Sequence, residues 1–236
     1  DLMATTAAME RILKENLLEA IRRVKEISPK RNFVESIELI LPVRDIDLRR
    51  PENRFRTFVK LPHPVAYRDK IAFFADEVHA SEAREIASKS EDIITVIDRV
   101  GIETLRTSKR EIRKIAKRHR ILLATTTLMS LVARYFGRYL SPRNKLPMPV
   151  PPNKRAADAI AEVKRTVAVR LHKNLAIQAK IGHRLMSDEE LTENGVALIL
   201  AVVPRLPDKW RNLRRYAFVK TTMGPPVKFS LFVKRK

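Results

Sequence analysis

The sequence predicts an α/β protein of two domains: a discontinuous α+β domain with an antiparallel sheet, and an α/β domain inserted into it. Three observations lead there. The N-terminal block reads as helix, strand, strand, and the C-terminal block as strands, helix, strands. Each block is too small and too one-sided to bury a core alone, so the two complete each other. Between them, from Lys70, short apolar runs alternate with helical stretches, a pattern that implies right-handed crossovers and a small, mostly parallel sheet covered on both faces. Finally, a proline-rich linker at residues 141–154 closes that middle region. The boundaries expected are 1–66 and 161–236 for the split domain and 67–160 for the insertion.

Taken in order, residues 9–27 place Ile12 or Leu13, Leu17, Ala20 or Ile21, Val24 and Ile27 on one stripe at helical spacing, ending before Ser28-Pro29. Phe33, Ile37, Leu39 and Leu41 then alternate as a strand, with Glu35 as a polar insertion on its inner face. A second strand follows near Phe55–Leu61. In the middle region strands are expected at Ile71–Ala75, Ile93–Ile97 and Ile121–Ala124, and helices near 79–88, 108–119 and 128–140. Five prolines in SPRNKLPMPVPPNK can neither continue a helix nor sit in a central strand. A short helix near 154–165 precedes strands at Thr166–Arg170 and Leu175–Ile181. Ser187-Asp188-Glu189-Glu190 fits a capping box that opens an apolar helix through Val203. Strands at Tyr216–Thr222 and Val227–Val233 finish the chain.

The chain has 48 Lys+Arg against 27 Asp+Glu, a net charge of +21. Self-repulsion of that size is offset by a polyanionic partner, and RNA, DNA or an anionic membrane surface are the candidates. No cysteine is present, which removes disulfides and thiolate chemistry and fits a reducing compartment. No apolar run is long enough for a transmembrane helix and no signal-peptide pattern opens the chain, so a cytoplasmic location is expected. The opening DLMATTAAM points to Met3 or Met9 as the start.

Charge is unevenly placed. Residues 104–155 hold fourteen Lys+Arg against the single acid Glu111, whereas residues 69–103 hold nine acids against four bases. In SKREIRKIAKRHR, residues 108–120, Arg110, Arg113, Lys114, Lys117 and Arg118 recur at helical spacing. That helix reads either as a solvated face or as a phosphate contact, and the sign imbalance favours contact.

Catalytic patterns are missing from the sequence. Gly101, Gly137, Gly182, Gly195 and Gly224 are too scattered for a phosphate-binding loop, so no nucleotide cofactor is expected. His63, His79, His119, His172 and His183 lack metal-ligand spacing. Asp76-Glu77 reads as a turn, and Ser108 and Ser130 lack a nucleophile-elbow context. Neither a cofactor nor an enzymatic activity is expected. The stretch VKTTMGPPVKF, residues 219–229, is either a rigid hairpin-like turn or an RNA-recognising one. Hydroxyls, a thioether and a glycine that permits close backbone approach are parts that RNA recognition uses.

TTMGPPVK resembles the C-terminal signature of the large-subunit ribosomal protein L-one family. Arg31-Asn32-Phe33-Val34-Glu35-Ser36 is similar to that family's first-strand motif. Arg50-Pro51-Glu52-Asn53-Arg54, followed by Leu61-Pro62-His63, is similar to its second-strand region. Ile181-Gly182, Ser187-Asp188-Glu189-Glu190-Leu191 and Asn194 match the family's strand and helix beyond the insertion, and the archaeal branch is the most similar. The resemblance implies a Rossmann-like, three-layer inserted domain II and a domain I that grips large-subunit rRNA at the mobile stalk near the tRNA exit site. It also implies help with release of deacylated exit-site tRNA and repression of the protein's own mRNA. The molecule would be part of the ribosome, monomeric when free, with no membrane partner. By matching position, the implied RNA contacts are Phe33, Glu35, Ser36, Lys173, Gln178, Gly182, Thr222, Met223 and Gly224, with Lys30 and Arg31 as phosphate partners. The family's Gly-Pro-Arg-Gly loop is Ser141-Pro142-Arg143-Asn144 here, and the acid that often precedes the lysine is His172. An RNA-modifying or processing enzyme is the alternative, but it needs a glycine-lined pocket that the sequence does not offer. A non-ribosomal RNA-binding regulator of the same fold is a third reading.

Overall fold

The computed structural model describes residues 2–143 and 145–232, and the chain divides into two units, Asp1–Tyr67 with Arg165–Lys236, and Arg68–Lys164. Unit 1 begins with α1 (Leu2–Ile27), β1 (Ser36–Pro42) and β2 (Phe55–Lys60). Unit 2 comes next as β3 (Lys70–Phe74), α2 (Glu77–Lys89), β4 (Ile93–Ile97), α3 (Arg99–Leu105), α4 (Lys109–Arg118), β5 (Ile121–Thr125), α5 (Met129–Leu140), β6 (Met148–Val150) and α6 (Ala156–Lys164). Unit 1 resumes with β7 (Thr166–Leu171), β8 (Ala176–His183), α7 (Asp188–Val202), β9 (Tyr216–Thr221) and β10 (Val227–Ser230). Asn144, the last residue of the Ser141–Asn144 loop, and Val233, the expected end of the last strand, lie outside the described residues.

In unit 1 an antiparallel sheet of order β10-β9-β1-β8 accompanies a two-stranded β2-β7 ribbon. Strand alternation fixes which side is covered: Ile37, Leu39 and Leu41 are buried with Val219, Ile177 and Ile181 beneath α1 and α7. α1 contributes Leu13, Leu17, Ala20, Ile21 and Val24 to that core. Ile27, expected on the same stripe, is exposed, because it sits on the helix's last turn beyond the sheet-facing row. Phe33 also departs from expectation and lies ahead of β1 and exposed. The β1 ladder is registered from Ser36, opposite His183, and Arg184 N donates to Glu35 O one residue ahead of it, so Phe33 lies outside the paired stretch. A bulge falls between Ile37 and Glu38.

The unit 2 sheet is parallel, of order β4-β3-β5-β6. Alternate residues face two separate cores. Ala72, Phe74, Leu122 and Ala124 pack with α3, α4 and α5, while Ile71, Phe73 and Leu123 pack with α2 and α6. Three elements differ from the sequence expectation. Met148–Val150 is a strand inside the proline-rich stretch, tolerated because β6 is the sheet edge, where a missing Pro149 N–H breaks no ladder. α3 spans only seven residues, too few to show a period, and is set by Asp98 Oδ1 accepting from Gly101 N at 2.8 Å. Asp76 is not part of a free turn: it caps α2, accepting from His79 N at 3.1 Å. α6 lies wholly in unit 2, with Ala156, Ala159, Ile160 and Val163 in its core.

Candidate nucleic-acid interface

At one end of the unit 1 sheet, four chain segments meet: the C-terminus of α1, residues 29–35, the turn from β8 to α7, and the turn from β9 to β10. Glu35 and Ser28 join the fourth to the first three, and Arg184 ties those three together. Its guanidinium donates to the carbonyls of Pro29 at 2.9 Å, Lys25 at 3.0 Å and Ser28 at 2.9 Å, and its N–H donates to Glu35 O at 3.0 Å. Lys25 Nζ holds the same turn from the other side, donating to Met186 O and Asp188 Oδ1, each at 2.6 Å.

Glu35 is only 1% exposed. Oε1 accepts from Met223 N at 3.3 Å, while Oε2 lies 3.5 Å from Arg184 Nη1 and makes no hydrogen bond. Exposed apolar side chains lie close by in the chain and the turn: Phe33, two residues ahead of Glu35, at 57%, and Met223, whose N–H the carboxylate holds, at 62%, with Leu185 exposed on the neighbouring turn. Thr222 N donates to Ser36 O at 3.1 Å, and its Oγ1 lies 3.4 Å from both Ser36 O and Glu38 Oε1. Gln178 Nε2 donates to Glu38 Oε2 at 2.5 Å, and Lys180 and Lys220 are the cross-strand partners of Glu38 on β8 and β9. Lys30 and Arg31 are exposed on the adjoining segment.

Gly224 permits the close approach expected of it, but toward its own chain. A Cβ there would stand 2.2 Å from Thr221 Oγ1 and 2.6 Å from Ser28 Oγ, whose hydroxyls are 3.1 Å apart. Gly182 is buried, and a Cβ would meet Leu191 Cδ2 and Met186 Sδ at 2.5 Å, so its small size serves the packing of β8 against α7. The structure therefore brings Phe33, Glu35, Ser36, Thr222, Met223 and Gly224 together, with Gln178 joined through Glu38. Lys173 is elsewhere. It lies in the β7–β8 turn beside Ala176, the partner of Pro42, whereas Ser36 pairs with His183 at the other end of β8. There it lines a cleft of about 550 Å³ with Arg49, Arg54 and His172. Sequence reasoning missed Arg184, Glu38 and Ser28. Nothing in their local pattern separates them from any other surface polar residue, because their partners come from distant segments.

His183, across from Ser36, meets Tyr67 edge-on at 5.6 Å between ring centroids, and its buried Nδ1 has no hydrogen-bond partner. Burial first, then the nearby Lys180, lowers its pKa below the ordinary histidine value. Among the described residues no cluster of three or more His, Cys, Asp or Glu could hold a metal ion, and no helix is long and apolar enough to cross a membrane.

This chain is similar to proteins named large ribosomal subunit protein uL1. The one from Pyrococcus horikoshii is 39% identical over 91% of this chain and 95% of its own length. Those from Thermococcus kodakarensis and Methanocaldococcus jannaschii are each 38% identical over 91% of this chain, covering 97% and 95% of their own lengths. The family model described as the Ribosomal protein L1p/L10e family matches residues 23–225, a span that takes in both units and the whole Arg184–Glu35–Met223 site, and the chain belongs to that family.

Proposed function

We propose that this protein is a structural constituent of the large ribosomal subunit whose unit 1 binds the rRNA of the mobile stalk. Membership of a ribosomal protein family makes it a structural component rather than an enzyme. The observation that carries the RNA reading is the Glu35 arrangement. Its buried carboxylate accepts from Met223 N and lies against Arg184, which fixes the turn that presents Thr222 and Met223 to solvent beside the segment carrying the exposed Phe33, Lys30 and Arg31. The exposed Thr222 hydroxyl suits a ribose 2′-OH, Phe33 and Met223 suit a base or ribose face, and Lys30 and Arg31 suit phosphates.

Unit 1 also has a second basic surface, which supports contact with deacylated tRNA. On the β2–β7 ribbon Arg56 is directly opposite Arg170, and burial followed by Arg170 lowers the Arg56 pKa. The two guanidinium groups concentrate positive charge on this ribbon, which a polyanion lying over it would meet. The cleft lined by Arg49, Arg54, His172 and Lys173, with Asp47 among them, adds further cations from the same unit. Repression of the protein's own mRNA follows where that message folds to mimic the stalk RNA.

Titrating the full chain against a stalk rRNA fragment and a scrambled RNA, across a salt gradient, tests the proposal. Specific binding should outlast the scrambled RNA as salt rises, because counterion release weakens both while base and 2′-OH contacts persist. Equal decline of the two RNAs would reject a specific site.

A further inference from the structure

The basic helix α4 takes no part in the site of unit 1. Its Ile112, Ile115 and Ala116 are buried, which leaves Arg110, Arg113, Lys114, Lys117 and Arg118 exposed. The Arg113 guanidinium lies over the Tyr139 ring at 5.6 Å, and that of Arg106, just ahead of α4, lies over Tyr135 at 5.7 Å. Tyr135 and Tyr139 are four residues apart on α5, so their Cβ atoms stand about 6 Å apart and the two ring–guanidinium plates are neighbours along the helix. Each tyrosine is half-buried against the core beneath, which fixes the plate in place.

Charge on unit 2 is divided by its sheet. α3, α4 and α5, on one face, carry nine Lys and Arg against Glu103 and Glu111, while α2 and α6, on the other, carry five acids against three bases. The two acids of the basic face are already engaged, Glu103 with Arg106 at 3.3 Å and Glu111 with Lys114 at 3.5 Å. Among the described residues, no carboxylate lies within 4.0 Å of Arg110, Arg113, Lys117, Arg118, Arg134 or Arg138. An acidic peptide would satisfy these charges but not the two plates. A membrane surface would need large exposed apolar side chains, which the outward side of α4 lacks.

We propose that the α4–α5 face of unit 2 is a separate RNA-contacting surface that takes an unpaired stretch of RNA. Two neighbouring bases stack on the Arg106/Tyr135 and Arg113/Tyr139 plates, and Lys117 and Arg138 hold the adjoining phosphates. This surface shares no residue with the site of unit 1, so either can fail without the other.

The test is ultraviolet crosslinking of a short oligouridylate to the full-length chain, with the adducts located by mass spectrometry. Adducts are expected on Tyr135 and Tyr139, and they should persist in Thr222→Val and Met223→Ala, which alter only unit 1. In anisotropy titrations Arg113→Gln with Lys117→Gln should weaken oligouridylate binding about tenfold and make the salt slope shallower by about 0.7 for each phosphate left unneutralised. Both positions are exposed, so the fold is retained; Tyr139→Leu, which keeps apolar volume, should weaken binding by a similar factor. Adducts confined to unit 1 peptides would overturn the proposal. So would displacement of the oligouridylate by polyglutamate as effectively as by more RNA, or equal binding of a fully paired duplex.

Discussion

Gly224 has no room for a methyl group, with Thr221 Oγ1 and Ser28 Oγ at 2.2 and 2.6 Å from where a Cβ would stand. Gly224→Ala must displace the Thr221 and Ser28 hydroxyls and disrupt the hydrogen bond between them, at a cost of about 1–3 kcal/mol. A lower urea midpoint with an unchanged slope would register it, and an unaltered midpoint would mean that the turn yields freely. Thr222→Val and Met223→Ala act on recognition instead. Each should weaken stalk RNA binding by about 1–3 kcal/mol in a filter-binding titration while melting like the parent. If neither changes affinity, those side chains do not touch RNA. The sequence showed that the turn around Gly224 was unusual, but not what the glycine approaches. Ser28 and Thr221 are 193 residues apart in the chain, and no local pattern encodes that meeting.

Elements with a clear period were legible, as were those with a strong start signal. α7 is the plainest case: Ser187 Oγ accepts from Glu190 N at 3.1 Å, and Glu190 Oε2 accepts from Ser187 N at 3.0 Å, as the Ser-Asp-Glu-Glu pattern predicts. α3 and β6 were not legible, because seven and three residues are too short to display periodicity against noise. Of the candidate site, the turn and the Phe33–Ser36 stretch were legible through family resemblance, whereas the separation of Lys173 from them depends on which end of β8 each segment reaches.

At the same scale, two histidines make the stability of unit 2 depend on pH in opposite directions. Burial lowers His119, and Arg118, Lys145 and Lys70 add to that, against the Ile115 carbonyl that accepts from Nδ1 at 3.0 Å; Thr95 Oγ1 sits 2.9 Å from Nε2. Its pKa lies below the ordinary value of about 6.5. The unfolded chain therefore takes up a proton that the folded one refuses, and stability falls as pH drops through that value. His79 runs the other way. Burial lowers it, but the Asp76 carboxylate at 2.6 Å and the Lys154 carbonyl outweigh burial and raise its pKa. Its contribution is complete below about pH 6.5 and is lost as pH rises through the raised value. His119→Gln should thus flatten the acid side of the unit 2 stability profile and His79→Gln the alkaline side, as followed by circular dichroism. Unchanged profiles in both variants would place the pH response elsewhere.

On the scale of the whole molecule, the two units have separate cores and offer separate signals. The only tryptophan, Trp210, belongs to unit 1, where it packs edge-on against Phe232 at 5.9 Å. Unit 2 holds the buried Asp69, 1% exposed, paired with Arg120 through Nε at 2.8 Å and through Nη2. Asp69→Asn breaks a buried ion pair and should cost unit 2 about 3 kcal/mol. Loss of helical dichroism should then precede the tryptophan transition on heating. A tryptophan transition that shifts equally would show that the units unfold as one.

The strands β2 and β7 pair antiparallel up to Lys60 opposite Thr166, and Leu61 N donates to Arg165 O at 2.8 Å. Partners in such a ladder stand about 5 Å apart, so the chain leaves this ribbon and returns to it side by side, with residues 62–67 still packed in unit 1 before the insertion begins. In effect the ninety-odd residues of the insertion form one oversized loop on a hairpin. Cut out between Tyr67 and Arg165 and replaced by a glycine-containing linker, they would leave the β2–β7 pair and the core of unit 1 in place, a minimal carrier of the Glu35 site.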